Sequence, residues 1–106
     1  MMTAQALTDA LAQRVMGWGV SAERYLTGNR SWIPRWRFEP LSKTEDALRL
    51  LEEAHPDRYE IRQDRPGVYS VAVVIGPRVG EARGDTKAGA ISLAVARAVL
   101  GPEVQV

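Results

Sequence analysis

The spacing of apolar residues changes several times along the chain, and each change marks an expected element. Leu7, Leu11, Val15 and Trp18 recur at helical spacing, which predicts a helix from about Thr3 to Met16, stopped by Gly17 and Gly19. From Val20 to Pro40 the pattern is irregular. Gly28-Asn29 offers a turn, and Ser31 to Phe38 reads as one extended segment interrupted by Pro34, a hairpin or an edge strand. Ser42-Lys43-Thr44-Glu45 then has the Ser-x-x-Glu form of a capping box. The helix expected behind it, Lys43 to Ala54, gathers Ala47, Leu48, Leu50, Leu51 and Ala54 on one face, with Asp46, Arg49, Glu52 and Glu53 opposite. His55-Pro56-Asp57 closes it, since a residue before proline is pushed out of helical geometry.

Beyond this point the period shortens to two. Tyr59-Glu60-Ile61-Arg62 alternates as a half-exposed strand, Arg65-Pro66-Gly67 turns, and Val68 to Ile75 is apolar on both faces. Tyr69, Val71, Val73 and Ile75 share one face, and Val68, Ala72 and Val74 share the other, so this strand is expected to be central and covered on both sides. Gly76-Pro77-Arg78 turns again, and Glu81-Ala82-Arg83 supplies a third strand of an antiparallel meander. The last helix starts at Asp85 or Thr86 and stops at Gly101-Pro102. Its apolar residues sweep over half the circumference, and only Lys87 and Arg97 mark a solvent side. Such a helix is either sandwiched between a sheet and another helix or packed against a second copy of the chain. The sum is a single α+β domain over residues 1–106: an antiparallel meander flanked by helices, a layered ABA-type sandwich of order α-(β)-α-β-β-β-α.

Composition narrows the function classes. Nothing in the 45% apolar and 25% charged balance suggests disorder. No run is long enough to cross a membrane, and Asp9 with two Gln near the start breaks the apolar stretch a secretory segment needs, so a cytoplasmic protein is expected. Without cysteine there are no disulfides, thiolate metal sites or cysteine nucleophiles, and His55 is the one histidine. Its place at a helix end needs no catalytic role. The acids are scattered over helix faces and turns, so no metal site, no cofactor and no catalytic residue is assigned, and the protein is expected not to be an enzyme. A net charge of +1 gives no global attraction to nucleic acid.

Several short motifs occur in a telling order. They are Val15-Met16-Gly17-Trp18 closing the first helix, Phe38-x-Pro40 leading into a helix with Asp46-Ala47, and Ala82-x-x-Asp85-Thr86 ahead of the Ala-rich helix with Ala90-Ile91. Together they resemble the phage ABA-sandwich domain, a family of small phage and prophage proteins, over nearly the whole chain. The resemblance implies helices layered around an antiparallel sheet in a phage accessory protein, and it carries no catalytic residues. The chain departs from the family pattern around Ser21 to Arg37 and at Leu41, which marks that stretch as the place for its own specificity.

That same stretch holds the most suggestive chemistry. Between Arg24 and Arg37 lie four Arg and no acid, interleaved with Tyr25, Trp32 and Trp36. Aromatic faces stack on bases and guanidinium groups fork onto phosphates, so Arg30, Trp32, Arg35, Trp36 and Arg37 are candidate ligand contacts. Arg78, in the Gly76–Gly80 turn, joins them as a candidate anion contact, although that turn lacks the spacing of a phosphate loop. The competing reading is that Trp32 and Trp36 anchor an irregular segment to the core. Strand geometry would put Trp32, Pro34 and Trp36 on one face and Ile33, Arg35 and Arg37 on the other, giving one buried and one basic, solvated face. The partners expected are a host protein or a nucleotide-type small molecule, bound in a counter-defence role. Nucleic acid is the alternative, a membrane is not expected, and self-association is placed on the last helix.

Overall fold

A computed structural model describes all 106 residues. Helix α1 (Ala4–Arg14) is followed by three short strands, β1 (Gly19–Val20), β2 (Arg24–Leu26) and β3 (Trp32–Pro34), and by a 3-10 helix at Arg35–Arg37. Then come helix α2 (Thr44–Glu53), three long strands, β4 (Arg58–Arg65), β5 (Val68–Ile75) and β6 (Arg78–Gly84), and helix α3 (Lys87–Leu100). The α+β class and the order of elements are those expected from the sequence. The irregular stretch before α2 resolves into a second three-stranded antiparallel sheet, in the order β1-β2-β3.

Two helices start where a hydroxyl can receive an orphan backbone N–H. Thr3 Oγ1 accepts from Ala6 at 3.0 Å, and Thr86 Oγ1 accepts from Gly89 at 3.0 Å. The capping box expected at Ser42 does not form. The N-cap of α2 is Lys43, without a side-chain cap, and the Ser42 hydroxyl turns back to Glu39, 3.4 Å from its carbonyl and 3.3 Å from its carboxylate. Asp46 in the first turn accepts the Glu39 N–H at 2.9 Å, so a carboxylate braces the approach to the helix from one residue further along. At the other end His55 takes φ of +49°, and the chain leaves the helix through Pro56.

β4, β5 and β6 form the larger meander with β5 in the centre, as expected. One face of β5, with Val71 and Val73 buried, meets α3. The other face is less enclosed than the sequence implied. Val68, Ser70, Ala72 and Val74 are only half-buried there, and their cross-strand neighbours Glu60, Arg62, Glu81 and Arg83 are exposed. Charged neighbours on both outer strands make that face the solvated side of the sheet.

Burial in α3 runs around most of its circumference: Ala88, Ala90, Ile91, Ser92, Ala94, Val95, Ala96 and Ala98 are all buried. The sheet covers one flank and α2, through Ala47, Leu50 and Leu51, covers another, with α1 touching it as well. Of the two explanations for its wide apolar surface, enclosure within one chain therefore suffices. Arg97 is not a plain solvent residue either, since it donates to the carbonyls of Val104 at 3.0 Å and Glu81 at 2.8 Å. The helix approaches β6 so closely at Gly80 that a Cβ there would lie 1.9 Å from the carbonyl oxygen of Ala94. Only glycine permits that contact. Ser92, the polar group of α3 that is wholly buried, donates to the Pro40 carbonyl at 2.6 Å and ties the entry to α2 into the core.

Candidate binding surface

The small sheet is built from strands of two or three residues, and alternation sorts their side chains. Tyr25 faces Ile33 across the β2–β3 ladder on the inner side, while Arg24 faces Pro34 and Leu26 faces Trp32 on the outer side. Tyr25 is fully buried with Trp18 and Phe38, the three rings lying 5.0–6.1 Å apart. Thr27 and Ser31 close the hairpin by mutual hydrogen bonds, and exposed Arg30 stands at its tip with φ of +64°.

The two tryptophans proposed as core anchors lie on the surface instead. Trp32 is 49% exposed and Trp36 is 62% exposed. Strand geometry assigned Trp32 and Pro34 to one face correctly, but the buried face is the opposite one, with Tyr25 and Ile33. After Pro34 the chain leaves the strand for the 3-10 helix, which turns Trp36 outward and Arg35 inward. Arginines flank both indoles: Arg24 lies 4.5 Å from the Trp32 ring centroid, and Arg37 lies 5.8 Å from that of Trp36.

Arg35, expected on a solvated basic face, is instead the centre of a polar knot. Its guanidinium pairs with Asp9 of α1 and donates to the carbonyls of Ser21 and, at 2.9 Å, Ala22. It also donates to the Tyr25 hydroxyl at 3.2 Å and lies 5.1 Å from that ring's centroid. Tyr25 in turn donates to Asp9 at 2.8 Å, and the Gln5 amide donates to Asp9 at 2.9 Å. Burial alone would raise the Asp9 pKa, but the hydrogen bonds from Arg35, Tyr25 and Gln5 outweigh it and hold the carboxyl below its ordinary value. For Tyr25, burial and the Asp9 carboxylate act together and push the phenol up to about 12. The Arg35 pKa is raised, chiefly by its hydrogen bond to Asp9.

The remaining candidates separate. Arg30, Trp32, Trp36 and Arg37 belong to the exposed surface around the small sheet, joined by Arg24, which the sequence placed in the basic stretch without singling it out. Arg78 sits elsewhere, at the start of β6, donating to the Val99 carbonyl at 2.8 Å and sharing a hollow with Arg97, Leu100 and Gly101. The residues that sequence reasoning missed are Asp9, Gln5 and Tyr25 as partners of Arg35. Nothing in a lone Asp on an amphipathic helix signals an arginine 26 positions later.

A hollow of about 560 Å³ lies beside Trp36, between α1 and the 3-10 helix, and is lined by Gln5, Glu23, Arg35, Trp36, Glu39 and Ser42 among others. The carboxylates of Glu23 and Glu39 in its lining oppose phosphate. A second hollow, about 520 Å³, runs over the outer face of β5 between Glu60 and Arg62 on one side and Glu81 and Arg83 on the other. Asp64 lies near Arg62 at 3.5 Å and Arg83 at 3.7 Å, and its pKa is lowered, first by the Ser70 hydroxyl and then by these arginines. No three His, Cys, Asp or Glu side chains converge as metal ligands, and no buried side-chain polar atom is left without a partner.

No protein-family model matches the chain, and no curated protein is similar to it. Among solved structures, the fold is similar to the 2.0 Å crystal structure of a phage protein from Bacillus cereus ATCC 14579. The two chains are 17% identical, the match covers 90% of each, and the TM-score is 0.72, so the arrangement of elements described above is shared with that phage protein.

Proposed function

We propose that the protein is a non-enzymatic phage accessory protein that docks onto a partner protein through the surface formed by Arg24, Trp32, Trp36 and Arg37. The observation that carries the reading is the exposure of two tryptophans, 49% and 62%, on a segment already fastened from behind by Tyr25, Phe38 and Arg35. The fold does not need the indoles. Tryptophan and arginine together are the residue types that dominate binding energy at protein interfaces. Supporting the phage setting are the shared fold with the Bacillus cereus phage protein and the resemblance to the phage ABA-sandwich domain. Within it, such a surface suits occlusion of a host component in the host cell, a counter-defence role.

Charge favours a protein partner over a nucleotide or a nucleic acid. Of the four arginines in this stretch, Arg35 is neutralised by Asp9, while Glu23 and Glu39 flank the groove beside Trp36. A photocrosslinking residue at position 37, introduced into the protein in host cells, is expected to trap one discrete protein. Trp32→Ala with Trp36→Ala should abolish that crosslink and leave the thermal midpoint in place. The same crosslink in the double variant would overturn the reading. Quenching of tryptophan fluorescence by an oligonucleotide, with affinity falling steeply as salt rises, would establish the nucleic-acid alternative instead.

A further inference from the structure

The two edges of the large sheet are treated differently by the chain. Along β6, the Glu81 carbonyl receives Arg97, and α3 closes over Gly80. Along β4, every residue from Arg58 to Arg65 is exposed except half-buried Ile61, and β5 on the other side is its one strand neighbour. A long free edge presents unpaired N–H and C=O groups and is a template for another strand. Edges that must stay single are blunted by bulges or by charges. A bulge between Gln63 and Arg65 does end the regular ladder here, but the charges on β4 follow another pattern.

Arg58, Glu60, Arg62 and Asp64 alternate in sign on the outer face, and Tyr59, Ile61 and Gln63 fall on the inner face. An antiparallel pairing of β4 with β4 of a second copy, related by a two-fold axis through Ile61, sets Glu60 opposite the partner's Arg62 and Arg62 opposite the partner's Glu60. At the ends it sets Arg58 opposite the partner's Asp64, and on the inner face Tyr59 opposite the partner's Gln63. All charged pairs are then of opposite sign. Moving the axis to Glu60 or to Arg62 places that charge against itself, which is destabilising. Registers between these put outer-face residues against inner-face ones and are forbidden by the pleat.

We propose that β4 is a self-complementary edge through which two copies of the chain pair antiparallel about Ile61, joining the two large meanders into one six-stranded sheet. The bulge after Gln63 limits the regular ladder to Arg58–Gln63, so Glu60 and Arg62 set the register. The closed two-fold leaves the partner's β6 edges guarded by α3 on both sides, and the assembly stops at two.

Sedimentation of the full chain across the micromolar range at low salt tests this directly, with a dimer expected for the native sequence. Glu60→Arg and Arg62→Glu each place like charges opposite one another and should each raise the dimer dissociation constant by about tenfold or more. Both positions are exposed, so circular dichroism should show each variant folded. An equimolar mixture of the two should form a heterodimer, because the arginine pair of one then faces the glutamate pair of the other. The doubly swapped chain, Glu60→Arg with Arg62→Glu, should dimerise like the native one. A native chain that stays monomeric throughout, or a dimer indifferent to both single changes, overturns the proposal.

Discussion

The two sheets of this molecule have the same number of strands and the same antiparallel order, yet they are held by different physics. Strands of seven and eight residues let the large sheet lay a continuous apolar face, centred on Val71 and Val73, against α3. Burial of that face holds the layer together. The small sheet has strands of two or three residues and cannot bury enough to stand alone. It is fixed from inside by three packed rings and by the Arg35–Asp9–Tyr25–Gln5 knot, which ties both the loop before β2 and the 3-10 helix to α1. Where apolar area is scarce, a fully satisfied polar network specifies position.

That contrast predicts where damage is severe. Gly80→Ala should have the largest effect, because the added methyl meets the α3 backbone, which cannot move aside. A loss of about 3 kcal/mol or more is expected, with the whole domain unfolding at lower denaturant. A near-native midpoint would show that α3 and β6 are free to separate without cost, and the account of the large sheet would fail. Arg35→Ala should cost less, about 2 kcal/mol, since the knot is partly exposed but Asp9 and two carbonyls lose their donor. Arg37→Ala, two residues away and exposed, should stay within about 0.5 kcal/mol of native. Equal effects at 35 and 37, read by chemical denaturation, would erase the distinction drawn between a knot and a surface.

The finest discrimination comes from pH. In the folded chain Tyr25 holds its proton up to about 12, whereas an unfolded tyrosine loses it near the ordinary value of 10.0. Between those values the unfolded state binds fewer protons than the native one, so stability declines as pH rises through this window and levels off above it. Tyr25→Phe should flatten that decline while leaving stability below it only modestly reduced. Asp9 acts at the other end with opposite sign. Its lowered pKa gives stability that is present above the ordinary carboxylate range and is lost as pH falls through the folded value. An unchanged alkaline slope in Tyr25→Phe would mean that neither burial nor Asp9 holds the proton on the phenol in the folded chain.

Legibility in the sequence followed the same division. β5 and α3 announced themselves because their burial is dictated by period, and period is a local property. Their stop signals, Gly76-Pro77 and Gly101-Pro102, were equally local. The small sheet was read only as a hairpin or an edge strand, because strands of two or three residues are too short to show alternation. The orientation of Trp32 and Trp36 was inverted for one reason: alternation groups side chains by face without saying which face is buried, and here the inner side belongs to Tyr25 and Ile33. The Ser42 capping box failed because the helix begins one residue later, with Lys43 at its N-cap, and Ser42 lies in the preceding turn with its hydroxyl donating back to Glu39. The role of Arg35 depends on α1 and on two loop carbonyls at once, and no sequence window contains all of them.

The enclosure of α3 has a consequence for how the chain is made. Synthesis runs from the amino end, and the helix that walls off α2, β5 and β6 is translated after all three of them. Until its residues have cleared the ribosomal exit, Leu50, Leu51, Val71 and Val73 have no surface to pack against, so the nascent chain carries its apolar faces bare. Arrest of translation ahead of Lys87 therefore leaves a segment with all six strands but nothing to cover the apolar face of the large sheet, a species for chaperones or proteases rather than an early native half.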